Sequence, residues 1–100
     1  MPQWTFLTNH AMVLSYISRH PRTTALDLAM AIGITERATR KIIADLLTEG
    51  YITKKREGRR SRYRINPDLP LRHPVHGETA IGDLLKVLGW KRRSRSVITT

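Results

Sequence analysis

Apolar residues in TNHAMVLSYISRHP recur at helical spacing: Met12, Val13, Tyr16 and Ile17 share one face, Leu14 widens it, and Pro21 ends the run. Thr8 or Asn9 can cap its start, so a first helix is predicted here. In TTALDLAMAIG, Thr24 and Asp27 have the spacing of a capping box, Leu28, Ala29 and Ile32 can face a core, and Gly33 supplies a stop. The run TERATRKIIADLLTEG starts a third helix from a Thr35 cap. Its Thr39, Ile42, Ile43 and Leu46 fall in one apolar sector, with Leu47 at the edge and Gly50 as the stop. Only Gly33-Ile34-Thr35 separates the second and third helices. A glycine in so tight a connection predicts a helix-turn-helix with Ile34 plugging the turn.

The period then changes. YITKKREGRRSRYRINP alternates from Tyr51, breaks at Glu57-Gly58-Arg59 and resumes through Arg62-Tyr63-Arg64-Ile65, the pattern of a β-hairpin. Ile52, Tyr63 and Ile65 can lay its apolar face against the helices. Pro67, Pro70 and Pro74 mark a Pro-rich connection over 67–76, and Ile81, Leu84, Leu85 and Leu88 form a helical stripe within 77–90. The expected fold class is mainly α with a small β-hairpin, followed by this C-terminal helix and a basic tail over 91–100 that frays or orders only on binding.

Composition turns this outline toward polyanions. The 100 residues hold 18 Lys or Arg against 8 Asp or Glu, a formal +10, and their apolar content suits one small folded domain rather than a disordered chain. The excess is localised: Lys54, Lys55, Arg56, Arg59, Arg60, Arg62 and Arg64, less Glu57, give 54–64 a formal +6. There is no cysteine, which excludes disulfides and thiolate metal ligands. The absence of a long apolar run, and of a basic start in Met1-Pro2-Gln3-Trp4, predicts a soluble, intracellular protein, and its expected location is cytoplasmic and nucleoid-associated.

With Thr39 as the inward pole of the third helix, Arg37 and Lys41 fall near the opposite pole, Arg40 lies on the flank, and Ala44 and Thr48 continue the outward face. An α-helix fits the major groove of duplex DNA, where arginine or lysine can donate to the O6 and N7 edge of guanine. Arg37, Arg40 and Lys41 are therefore the expected base contacts, and Thr35 with the first-turn amides suits a phosphate. In the hairpin, Arg59, Arg60 and Arg62 are the preferred contacts, while Lys54, Lys55 and Arg56 neutralise backbone phosphates. Six such phosphate contacts would give a logarithmic salt slope of roughly −5. The alternative for the helix cations is that they are ordinary solvated residues, since an exposed basic helix surface is common.

This order of elements resembles a winged helix-turn-helix and is similar to MarR-like prokaryotic transcriptional regulators over about residues 8 to 66. The resemblance runs through LDLAMAIGITERATRKIIADLLTEGYITKKREGRRSRYRI. Ala29 and Ile32 match inward second-helix positions, Gly33 and Ile34 the turn, Thr35 the cap, and Thr39, Ile43 and Leu46 the buried positions of the recognition helix. Gly50-Tyr51-Ile52 matches the entry to the wing. The chain departs from that family in its shorter length and in Thr39, where a bulkier aliphatic is frequent. The resemblance implies a dimer on palindromic promoter DNA, often a repressor. It places helix 35–49 in the major groove through Thr35, Arg37, Arg40 and Lys41, and wing 53–64 alongside through Arg59, Arg60 and Arg62.

The stripe of Ile81, Leu84, Leu85 and Leu88, with Trp90 at its edge, is the expected homodimer surface; its other use is to complete the core of a monomer. Two-fold pairing would suit half-sites about 34 to 36 Å apart. Catalysis is not expected. His10, His20, His73 and His76 form no HExxH or comparable metal array, Asp27 reads as a capping residue, and Ser15, Ser18 and Ser61 lie in no nucleophile motif. No phosphate-binding glycine loop is present, no cofactor is expected, and only a small effector at a dimer boundary has room. Two other noncatalytic functions fit the charge: nonspecific architectural binding of nucleic acid, and a winged-helix module for an acidic protein. Duplex RNA is less suited, because its deep, narrow major groove does not admit a helix.

Overall fold

The computed structural model describes residues 4–91, and the chain divides into two units, Met1–Asn66 and Pro67–Thr100. In the first unit, helix α1 (Asn9–Arg19) starts because the Thr8 hydroxyl accepts the Ala11 amide at 3.1 Å. It ends at His20, just before Pro21. Helix α2 (Ala25–Ile32) is capped by Thr24, whose hydroxyl accepts the Asp27 amide at 3.1 Å. Among the described residues only this half of the expected capping box forms, since the exposed Asp27 carboxylate makes no return bond there.

Helix α3 (Glu36–Thr48) follows a turn whose geometry depends on Gly33. At φ +86° this residue takes the left-handed conformation that closes α2, and the amides of Gly33 and Ile34 both donate to the Ala29 carbonyl. Ile34 is half-buried in that turn. Thr35 restarts the chain by accepting the Ala38 amide at 3.0 Å.

The core of this unit joins Val13, Leu14 and Ile17 of α1, Leu28 and Ala29 of α2, and Ile42, Ile43 and Leu46 of α3 with Tyr51, Ile52 and Tyr63. Thr39 is fully buried among them. Its hydroxyl donates to the Thr35 carbonyl at 2.9 Å, which is how a polar side chain occupies an inward position without an unmet hydrogen bond. Ile32 of α2 is only partly buried, while Leu26 and Met30 lie on the opposite, exposed side.

Strands β1 (Ile52–Glu57) and β2 (Arg60–Ile65) pair antiparallel, with Ile52 opposite Ile65 and Glu57 opposite Arg60. Gly58, at φ +62°, opens the two-residue turn, the position at which a II′ hairpin turn needs glycine. Register puts Ile52, Tyr63 and Ile65 on one face with Lys54 and Arg56, and Lys55, Glu57, Arg60, Arg62 and Arg64 on the other. The Tyr63 amide donates to the Pro21 carbonyl at 2.8 Å, tying the ribbon to the segment after α1.

In the second unit, residues 67–80 fold back through a single 3-10 turn at Pro74–His76 and a bridge between Pro70 and Ala80. Helix α4 (Ile81–Val87) has no side-chain cap; the carbonyls of Leu69 and Pro67 accept the Ile81 and Gly82 amides at 2.7 and 2.9 Å instead. A Cβ added at Gly82 would stand 2.7 Å from Pro67 Cβ and 2.9 Å from its carbonyl oxygen. Gly82→Ala is therefore expected to destabilise this unit by about 1–3 kcal/mol. The expected reading is faster hydrogen exchange at the Ile81 amide, with exchange at the Leu28 amide unchanged.

Candidate nucleic-acid interface

Helix α3 touches α1, α2 and β1, so its inward face is fixed on several sides and its outward face is held in a set direction. Arg37 and Lys41 are exposed on that outward face and make no ion pair among the described residues. Two cations left without acids are available to an external anion. Thr35 is exposed but already committed to capping α3.

Arg40 behaves differently from its neighbours. Its guanidinium pairs with the Glu36 carboxylate one turn earlier, the favourable order for an acid and a base on a helix. It also lies close enough to Tyr63 of β2 to affect that phenol electrostatically. Burial pushes the Tyr63 hydroxyl above the ordinary tyrosine range, and the Arg40 charge offsets part of the rise. Arg40 thus sits on the flank of α3 that faces the ribbon.

The ribbon's cations divide by strand register. Lys55, Arg60, Arg62 and Arg64 share the solvent face, Lys54 and Arg56 emerge on the face that carries Tyr63, and Arg59 occupies the turn. Lys54, Lys55, Arg59, Arg60 and Arg64 are all exposed and make no ion pair among the described residues. Arg56 bends back, its Nε donating to the Gly58 carbonyl at 3.0 Å and bracing the tip. Glu57 lies between Arg62, at 3.8 Å, and Arg22 from the segment after α1, at 3.2 Å. Arg62 is thereby partly neutralised, and Arg22 joins the ribbon.

The ion pairs of Glu36 and Glu57 go beyond the sequence reading. The i, i+4 spacing of Glu36 and Arg40 is the signal that could have found the first, but the pairing of Arg22 with Glu57 spans 35 residues and follows only from how β2 docks beside Pro21. The histidines are dispersed: His10 Nε2 meets Asp45 Oδ2 at 2.8 Å across α1 and α3, while His73 Nδ1 accepts the Val75 amide at 3.1 Å. Among the described residues no group of His, Asp and Glu could hold a metal ion.

The residues expected at a dimer surface lie in the second unit. Ile81 and Leu85 are buried, whereas Leu84, Leu88 and Trp90 are partly exposed. Apart from Lys91, the basic tail over 91–100 lies outside the described residues. No helix among those residues is long and apolar enough to cross a membrane.

Residues 5–62 match the sequence model of a family described as the MarR family. Among solved structures, 13 chains match. One is the crystal structure of a predicted DNA-binding transcriptional regulator from E. coli. It aligns with a TM-score of 0.56 at 23% identity, covering 78% of this chain and 70% of that one. At this identity the likeness concerns the fold, a mainly α-helical winged helix-turn-helix with a small antiparallel hairpin. No curated protein matches the chain.

Proposed function

This chain belongs to the MarR family of noncatalytic, DNA-binding transcriptional regulators, and from that premise we propose that it represses transcription by binding specific double-stranded DNA. Helix α3 enters the major groove, with Arg37, Arg40 and Lys41 at base edges and Thr35 near a phosphate, while the wing over 53–64 lies on flanking DNA. The observation that carries this reading is the pairing of two unopposed cations on the outward face of α3 with an adjacent ribbon of exposed cations. The helix supplies base donors, and the ribbon supplies charge that any DNA sequence attracts.

The wing contribution has its own expected result. Arg59→Ala with Arg60→Ala should weaken binding to all duplexes alike and make the logarithmic salt slope shallower by about two, because each lost phosphate contact removes about 0.9. Titrations of one specific and one random duplex across a salt series check it. Lys54, Lys55, Arg56 and Arg62 add to the same field. The internal engagement of Arg56 and Arg62 gives them smaller effects than Arg59 and Arg60.

A homodimer would present two α3 helices to a palindromic site, pairing through the partly exposed Leu84, Leu88 and Trp90, with Ile81 and Leu85 supporting them from within. Selection from a genomic DNA pool followed by sequencing tests the function as a whole. The expected outcome is an enriched, palindromic site near promoters. Binding without enrichment would instead indicate an architectural nucleic-acid binder, and absence of DNA binding a protein-interaction module.

A further inference from the structure

Helix α3 carries two acids, and they are placed differently. Asp45 meets His10 of α1, whereas Glu36 lies on the same flank as Arg40, in the first turn of the helix proposed to read DNA. A carboxylate in the approach to a polyanion opposes binding in general, so its presence there calls for a role that depends on the DNA sequence. Glu36 remains partly exposed while paired, and it can therefore meet a second donor.

We infer that Glu36 is a specificity-determining residue: it holds Arg40 in the DNA-free chain and accepts a hydrogen bond from the N4 amino group of a cytosine at the correct site. The inference rests on the reading that α3 occupies the major groove. There, guanine N7 and O6 and thymine O4 are acceptors that repel a carboxylate; cytosine N4 is a donor that satisfies it, and the N6 donor of adenine comes with an adjacent N7 acceptor that opposes it. Glu36 and Arg40 are four residues apart, about 6 Å along the axis, so their ends can reach one base pair and a near neighbour. Arg40 then donates to a guanine close to the cytosine met by Glu36.

On a wrong sequence the ion pair stays closed. Arg40 is retained by Glu36 instead of being released to the nearest phosphate, and where adenine stands in place of cytosine its N6 donor is flanked by N7, an acceptor that repels the carboxylate. Specificity then comes from an internal competitor that only the right pair of bases displaces. The wing offers no equivalent, because Glu57 pairs with Arg62 of the element that reads charge and with Arg22 of the segment after α1, neither of them on α3.

The test is parallel site selection, followed by titration, with the full-length wild type, Glu36→Gln and the double variant Arg37→Ala with Arg40→Ala. Glutamine keeps the length and removes the charge. The expected result for Glu36→Gln is a loss of about tenfold in preference for cytosine at one position, with the other positions retained. Affinity for random duplex should rise and its salt slope steepen by about one, as Arg40 becomes available to phosphate. Unchanged base preference at every position overturns the inference, as does a uniform change in affinity for all DNAs, which is what a purely helix-stabilising Glu36 would produce. If the double variant still selects the wild-type site, the placement of α3 in the groove fails. If it loses selection while Glu36→Gln keeps it, only the role of Glu36 fails.

Discussion

Replacing Arg37 and Arg40 together with alanine is expected to reduce the ratio of specific to random DNA affinity by about 100-fold. A well-placed bidentate contact to a base edge contributes about 1–3 kcal/mol of discrimination, and each 1.4 kcal/mol is a factor of ten. Arg37 has no acid partner among the described residues, so its loss removes a donor that needs no release. The loss of Arg40 acts twice, removing a donor and leaving Glu36 unpaired beside the DNA. Both side chains are exposed, so the melting temperature should hardly move. Titrating a selected duplex and its scrambled counterpart at fixed salt measures the ratio. An unchanged ratio would transfer base reading from α3 to another element.

The second large effect concerns stability. Leu28→Ala should cost about 2–5 kcal/mol, because Leu28 has no exposed surface and α2 packs against both α1 and α3. A small unit has few other apolar residues with which to close the cavity, and total stabilities of about 5–15 kcal/mol leave little reserve. Denaturant unfolding followed by circular dichroism should show a lower midpoint with a similar slope. Leu26→Ala, two residues away on the exposed side of α2, is the matched control and should stay within about 0.5 kcal/mol. A large cost at Leu26 would mean that this face of α2 is covered by something other than solvent.

The fold was largely legible because its punctuation is local. Thr8, Thr24 and Thr35 each cap the helix that follows them, and Gly33 and Gly58 take the positive φ values that a helix end and a tight hairpin turn require. The inward positions of α3 were likewise readable from a 3.6-residue period, including buried Thr39. What escaped the sequence was longer in range. The start of α4 at Ile81 depends on carbonyls of Leu69 and Pro67, with no capping side chain to announce it. The cations of the wing looked equivalent in a string of letters. Register and tertiary contacts make them unequal: Arg56 braces the turn, Arg62 and Arg22 flank Glu57, and Arg59 and Arg60 remain unopposed. Arg40 is a flank residue by its spacing, but its effect on Tyr63 could be seen only once the ribbon was docked against the helices.

The bond from the Tyr63 amide to the Pro21 carbonyl bears on a hazard unrelated to DNA. A two-stranded ribbon has two open edges, each a template on which another copy could add a strand. Pro21 covers part of the β2 edge with a carbonyl but has no amide hydrogen to return, so the ladder cannot grow through it. Lys54, Lys55 and Arg56 line the other strand with like charge, which repels an identical ribbon. The cations that attract a polyanion thus also keep copies of the protein from joining edge to edge. Replacing them with uncharged β-branched residues would trade weaker DNA binding for self-association.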